Sequence, residues 1–232
     1  MLKGKVQPVS EFSEAEISAM YSLMAEFYDN TDEAVFRRDF FDKDYCLVLR
    51  HETDGIVGFT TQKIMELDID GKKIHGIFSG DTIIHKDHWG DIELFRVWAG
   101  FWFKFAEKYE EFYWFLICKG YKTYRIMPLF WTEFYPCYRC ETPAFEKRII
   151  DAYASELYPG EYDSRSGVIV YKGVKDKLKS GVADVGAHEM KNKDIAFFCR
   201  ANPDYIKGND LACLARIDRS YLKKRAGELL FK

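Results

Sequence analysis

Residues 56–84, IVGFTTQKIMELDIDGKKIHGIFSGDTII, read as two long strands folded back on each other. Asp70-Gly71 at the centre suits a two-residue hairpin turn whose central residues both take positive φ. Upstream, Tyr45–Arg50 is apolar and β-branched, and Glu52-Thr53-Asp54-Gly55 is a turn before the Ile56–Leu67 strand. With Lys72–Ile84 this makes an antiparallel meander of three strands. Further out, Ser13 and Glu16 have capping-box spacing ahead of Ile17, Met20, Met24 and Phe27, which predicts a helix over 14–28. Asn30 or Thr31 is expected to cap a second short helix through Phe36, Phe40 and Phe41. Downstream, Asp91–Tyr109 predicts a helix with an aromatic stripe of Leu94, Trp98, Phe101, Trp102 and Phe105. Tyr113–Cys118 is a continuous apolar run, the pattern of a strand buried on both faces. Thr123–Tyr135 reads as a helix kinked near Pro128 and stopped by Pro136. Strand, helix, strand and helix from Lys72 to Tyr135 is the order of a βαβ crossover.

After Pro143 the pattern changes. Phe145–Leu157 reads as helix, Gly167–Lys172 as strand, Asp194–Arg200 as helix, Leu211–Ile217 as strand and Arg219–Leu230 as helix. The expected organisation is a core over 1–142 and a C-terminal extension over 143–232 that packs on or completes the same sheet. The 232 residues carry a net charge of -3, so there is no basic excess to neutralise a phosphate backbone, and nucleic acid is not an expected partner. Aromatic residues make up 17%, enough to expect a large core. The longest uncharged apolar runs, Val97–Phe103 and Phe112–Cys118, fall far short of the roughly 18 residues of a membrane span. No secretion signal is apparent at the N-terminus, and the six cysteines read as reduced thiols of a cytoplasmic protein. Cys137-x-x-Cys140 supplies only half a zinc site, and His85-x-x-His88 is the sole other pair of that spacing kind; no metal is expected.

Two helices, a three-strand antiparallel meander, helix, strand and helix: over about Ser13–Tyr138 this order resembles the GCN5-related N-acetyltransferase superfamily. The resemblance implies a mixed α/β (α+β) fold, with a central sheet, an antiparallel N-terminal meander and helices on both faces. It also implies that the strand ending at Ile84 runs into a loop that binds the pyrophosphate of coenzyme A. The matching segment here is His85-Lys86-Asp87-His88-Trp89-Gly90-Asp91-Ile92-Glu93. A loop of that kind works because unpaired N–H groups and the dipole of a helix start attract an anion, and glycine lets the backbone approach. Gly90 and Lys86 keep part of the pattern. A further glycine is absent, and Asp91 and Glu93 put negative charge where a pyrophosphate would be.

The resemblance further implies that two neighbouring parallel strands splay apart to pair with a pantetheine arm. Thr82, Ile83 and Ile84 on one strand, Phe115 and Leu116 on the other, and Lys86, Trp89 and Gly90 in the loop are then the expected donor contacts. A tyrosine late in the following helix serves the family as general acid, and Tyr135 is the nearest match, with Tyr138 in reserve. Asp81 and His85, at the end of the central strand, are the expected bases; His88 and Glu66 are further candidates. The expected activity is acyl transfer from a thioester, acyl-CoA or an acyl carrier protein, to a small-molecule amine. The alternative is a non-catalytic member of the fold that binds a metabolite or protein, which the acidic loop favours.

Overall fold

The computed structural model describes residues 1–231. Among these described residues there are ten strands and eight α-helices. In chain order they are β1 (Leu2–Pro8), α1 (Glu14–Phe27), β2 (Tyr28–Asp29), α2 (Glu33–Phe41), β3 (Tyr45–His51), β4 (Gly55–Ile69), β5 (Lys72–Ile84), α3 (Glu93–Ala106) and β6 (Phe112–Cys118). There follow α4 (Tyr121–Tyr124), α5 (Ile126–Phe130), α6 (Ala144–Leu157), β7 (Tyr162–Asp163), β8 (Val168–Ile169), β9 (Lys177–Leu178), α7 (Lys193–Ala201), β10 (Asp210–Arg216) and α8 (Lys224–Leu230).

Eight strands form one sheet in the order β1-β3-β4-β5-β6-β10-β8-β7. The β3-β4-β5 meander is antiparallel as its turns predict, with Asp70 at φ 55 and Gly71 at φ 82. β5 and β6 are parallel and joined by α3, the crossover expected from the sequence. Alternation along the strands divides the core. Leu47, Leu49, Ile77, Trp114 and Leu116 face α3. Cys46, Val48, Phe59 and Ile83 face α1 and α2. Phe78, Tyr113, Phe115 and Leu214 face α6. The sheet is therefore mixed, with helices on both faces. Of the aromatic stripe of α3, Leu94, Trp98 and Trp102 are buried against the sheet, Phe101 and Phe105 are half-buried, and Phe103, outside the stripe, is buried too.

The start of α1 forms both bonds of the predicted capping box, Glu16 N–H to Ser13 Oγ at 3.3 Å and Ser13 N–H to Glu16 Oε2 at 3.0 Å. Three expectations need correction. The helix expected over Arg219–Leu230 is a single 3-10 turn at Arg219–Tyr221, two extended residues, and then α8 from Lys224. Asp32 caps α2, accepting from the Val35 N–H at 2.8 Å, while Asn30 takes a turn conformation at φ 61. The helix expected to reach Tyr135 ends at Phe130. Trp131 turns into the core there, its indole N–H donating to the Arg216 carbonyl at 2.7 Å. The chain beyond is extended, and Tyr135 pairs with Leu214 on β10. Among the described residues no helix is long and apolar enough to cross a membrane.

Candidate active site

The centre of the site is made by a defect in the sheet. Along β4 and β5, Gln62 pairs with Ser79 and Thr60 with Thr82, so Gly80 and Asp81 together stand opposite the single Thr61. Such a bulge bends its strand and re-aims a side chain. A Cβ at 80 would meet Thr61 Oγ1 at 2.6 Å and Lys43 Cε at 3.1 Å, so those side chains would have to shift. The parallel ladder between β5 and β6 stops at the same level, with Ser79–Leu116 as its last rung. Beyond it β5 keeps β4 and β6 keeps β10, and the edges that face each other are free of ladder bonds.

Two cavities open where the strands part. On the α3 side a largely apolar cleft of about 350 Å³ is lined by Thr82, Ile83, Ile84, Trp89, Gly90 and Phe95, among others. Opposite walls come from Lys122, Thr123 and Phe130 and, from the C-terminal extension, Leu178, Val182 and Ala183. A small apolar cavity at the foot of the cleft adds Leu116, Trp98 and Trp114. On the other side a polar cavity of about 120 Å³ is lined by Asp81, Asp176, Asp210, Lys119, Tyr158 and Tyr171, among others. Tyr28, Thr82 and Thr123 line both the cleft and the polar cavity.

Charge in the polar cavity is tightly organised. Lys119 Nζ is 2.9 Å from Asp210 and 3.6 Å from Asp176, and Lys175 is 2.6 Å from Asp176. The Tyr171 hydroxyl donates to Asp210 at 2.7 Å. Desolvation pushes the Asp176 carboxyl up, but Lys119 and Lys175 outweigh it and hold the group below its ordinary value. Asp81 is different. Its carboxylate has no ion-pair or hydrogen-bond partner among the described residues. Burial first, then the neighbouring charges of Asp39 and Asp176, push it up to about 7. Tyr28 is also raised well above a free phenol, by burial and then by Asp81, so it stays protonated.

In the loop before α3 one of the donors that an anion would use is already taken. Gly90 has φ 95, but the Asp91 carboxylate accepts the Glu93 N–H at 2.7 Å, satisfying a donor that a phosphate would use. The Trp89 indole donates to the Ile84 carbonyl at 2.8 Å, and Lys122 Nζ is 3.5 Å from its ring centroid.

Of the residues singled out from sequence, the structure brings Asp81, Thr82, Ile83, Ile84, Trp89, Gly90 and Leu116 to these cavities. Four others are elsewhere. His85 is turned toward Glu26 and Asp87, at 3.5 and 3.6 Å, and lines neither the cleft nor the polar cavity. Lys86 is exposed outside the cleft, and Phe115 stacks on Tyr153 at 4.9 Å on the α6 face. Tyr135 lines a separate cavity with Glu111, Tyr113 and Glu146, by the start of β6 and not its splayed end. Its phenol is pushed up to about 12 by burial, then by Glu146 and Glu133. Of the remaining candidates, Glu66 pairs with Lys73 on the hairpin surface, and the His88 ring lies 5.4 Å from that of His51.

Sequence reasoning missed Gln62, which is wholly buried. Its Oε1 accepts from the Trp98 indole and the Ser79 hydroxyl, each at 3.1 Å, and Ser79 accepts from the Trp114 indole at 2.8 Å. Its Nε2 donates to Thr60 at 2.9 Å, and Thr60 meets Thr82 at 2.8 Å. This chain of bonds fixes the floor of the cleft relative to Thr82. Between Thr61 and Lys63, Gln62 carries no sequence signal that sets it apart. Lys122, Thr123, Tyr28 and the Lys175–Ala183 segment were also missed, because nothing local ties them to β5.

No protein-family model matches the sequence. No curated protein matches it either. Solved structures do overlap with part of the fold. A conserved Enterococcus faecalis protein, described as a probable N-acyltransferase, matches at TM-score 0.41 and 12% identity, over 58% of this chain and 33% of that one. The GNAT-family N-acetyltransferase YhbS of Escherichia coli, solved with CoA, matches at 0.36 and 9%, over 50% of this chain and 63% of that one. An aminoglycoside acetyltransferase from an uncultured soil sample matches at 0.39 and 16%, over 62% and 99%. By its own strand order, the parting of β5 from β6, and the crossover helix between them, the chain has a fold like that of the GCN5-related N-acetyltransferases.

Proposed function

We propose that the protein transfers an acyl group from a thioester to an amine. The observation that carries this reading is the end of the β5–β6 ladder at Ser79–Leu116, with an apolar cleft on one side of the gap and a polar cavity on the other. The cleft suits a slim thiol-terminated arm, which can pair with the free backbone edge of β5 past Ser79. The acyl carbonyl is then placed near Thr82 and Thr123. The amine enters from the polar cavity, where Asp81 is the base. A carboxyl held at about 7 is half-ionised near neutrality and well matched to take a proton from an ammonium.

In the proposed step Asp81 removes one proton from the ammonium. The freed amine attacks the carbonyl carbon and the C–N bond forms. The C–S bond then breaks, and the second nitrogen proton passes to the leaving thiolate. Asp81 returns its proton to solvent. No covalent intermediate on the protein is required. His85 and Tyr135, in their observed positions, have no part in this step.

The donor is acyl-CoA or an acyl carrier protein. The carboxylate of Asp91 at the start of α3 favours the carrier-bound arm, which needs no pyrophosphate site. That same carboxylate supports a second reading, a non-catalytic module that binds a metabolite. Titration with acyl-CoA and with acyl-pantetheine, followed by thiol-release assays on a panel of amines, separates the two. Binding with thiol release supports transfer. Binding with no release from any amine supports the second reading, and no binding of either thioester sinks the transfer reading and leaves a module for another metabolite or a protein.

A further inference from the structure

Outside the site, Cys137 and Cys140 close a tight turn on the extended stretch after α5. They face each other as an antiparallel bridge pair, and their Sγ atoms are 3.6 Å apart. Residues opposed in this way have Cα atoms roughly 4.5–5.5 Å apart, inside the window in which a disulfide forms without backbone movement. The two thiols are not equivalent. Cys140 is exposed and Cys137 is 7% exposed beneath it. Among the described residues no group of three or more His, Cys, Asp or Glu is placed to hold a metal.

We infer that Cys137 and Cys140 form a reversible dithiol–disulfide site that exchanges with low-molecular-weight disulfides. The exposed Cys140 thiolate attacks one sulfur of the disulfide, and one thiolate of the reagent leaves. The Cys137 thiolate then attacks Cys140 Sγ, releasing the second. Two electrons pass from the protein thiols to the reagent, which ends as two thiols, and one Cys137–Cys140 bond is formed. The loop closed is only four residues long, so little chain entropy is removed and the bond returns readily to the reduced form. The hydrogen bond between Cys140 and Cys137 first, then burial, push the Cys140 thiol above its ordinary value, against the opposing pull of Arg139. Exchange therefore speeds up as pH rises through the thiol range.

The test uses the full chain carrying Cys199→Ser, which removes the other partly accessible thiol, with oxidised glutathione as probe. The expected product is an internal Cys137–Cys140 disulfide, seen as a peptide cross-link by mass spectrometry and reversed by dithiothreitol. Cys137→Ser and, as a second form, Cys137→Ala should stop at a glutathione adduct on Cys140. Cys140→Ser should give neither product. A persistent adduct on the protein with both cysteines, a disulfide between two chains, or unreacted thiols after prolonged exposure at pH about 8.5 would each overturn the assignment.

Discussion

Asp81 is a carboxyl whose ordinary value of 3.8 is pushed to about 7 by burial and by the nearby charges of Asp39 and Asp176. The consequences for activity and for stability have opposite signs. As a base it works only when ionised, so the rate of acyl transfer at saturating donor should rise as pH increases through about 7. Asp81→Asn should lower turnover by about 10²-fold or more and remove that rise. In the folded chain the proton is held more tightly than in the unfolded chain. The stabilisation this gives is complete below about pH 4 and lost as pH climbs through the folded value. Asp81→Asn should therefore melt higher than the wild type above pH 7, with the gap closing toward pH 4. Thermal melts of both proteins across that range check the sign; a variant that melts lower at pH 8 would mean that Asp81 has an ion-pair partner in solution.

Among the elements, the bulge on β5 does most to make the site, and Gly80 within it lies where a Cβ would crowd Thr61 and Lys43. Gly80→Ala should destabilise the fold by about 1–3 kcal/mol, because the new Cβ collides with Thr61 and Lys43. It should also weaken donor binding, since relief of the clash shifts the strand that borders the cleft. Gly100 in α3 is the control: a Cβ there meets nothing within 4 Å, and Gly100→Ala should stabilise by up to about 1 kcal/mol. Urea titration of the two variants tests both signs. The contrast shows which elements are legible in sequence. Asp70-Gly71, the Ser13–Glu16 capping box and the apolar run of β6 declare themselves through local chemistry, and each forms as read. The bulge does not, because nothing in the residue types around Gly80 marks that two residues of β5 stand opposite one of β4. The end of α5 was misread for a similar reason: Trp131 leaves the helix for a long-range bond to Arg216, and Tyr135 goes with the strand it joins.

On the scale of the whole molecule, the C-terminal residues are structural partners of the N-terminal ones and of the site. β10 pairs with β6 along six rungs, from Leu211–Cys118 to Arg216–Tyr113, and buries the edge of a strand that is apolar throughout. β9 pairs with β2 directly after α1, and the segment around it walls both cavities with Lys175, Asp176, Leu178 and Ala183. Much of the candidate site was hidden in the sequence for this reason: residues some 90 positions apart meet there, as Lys119 and Asp210 do. A boundary at 142 would cut through these pairings. The full chain is accordingly expected to unfold in one transition, with tryptophan fluorescence and far-ultraviolet circular dichroism coinciding in urea. A fragment ending at residue 142 would expose the free edge of β6, a long apolar strand with every ladder group on that side unpaired, and should aggregate. Two separated transitions in the full chain, or a soluble folded 1–142 fragment, would show instead that the first 142 residues form an independent unit and that the extension merely rests on it.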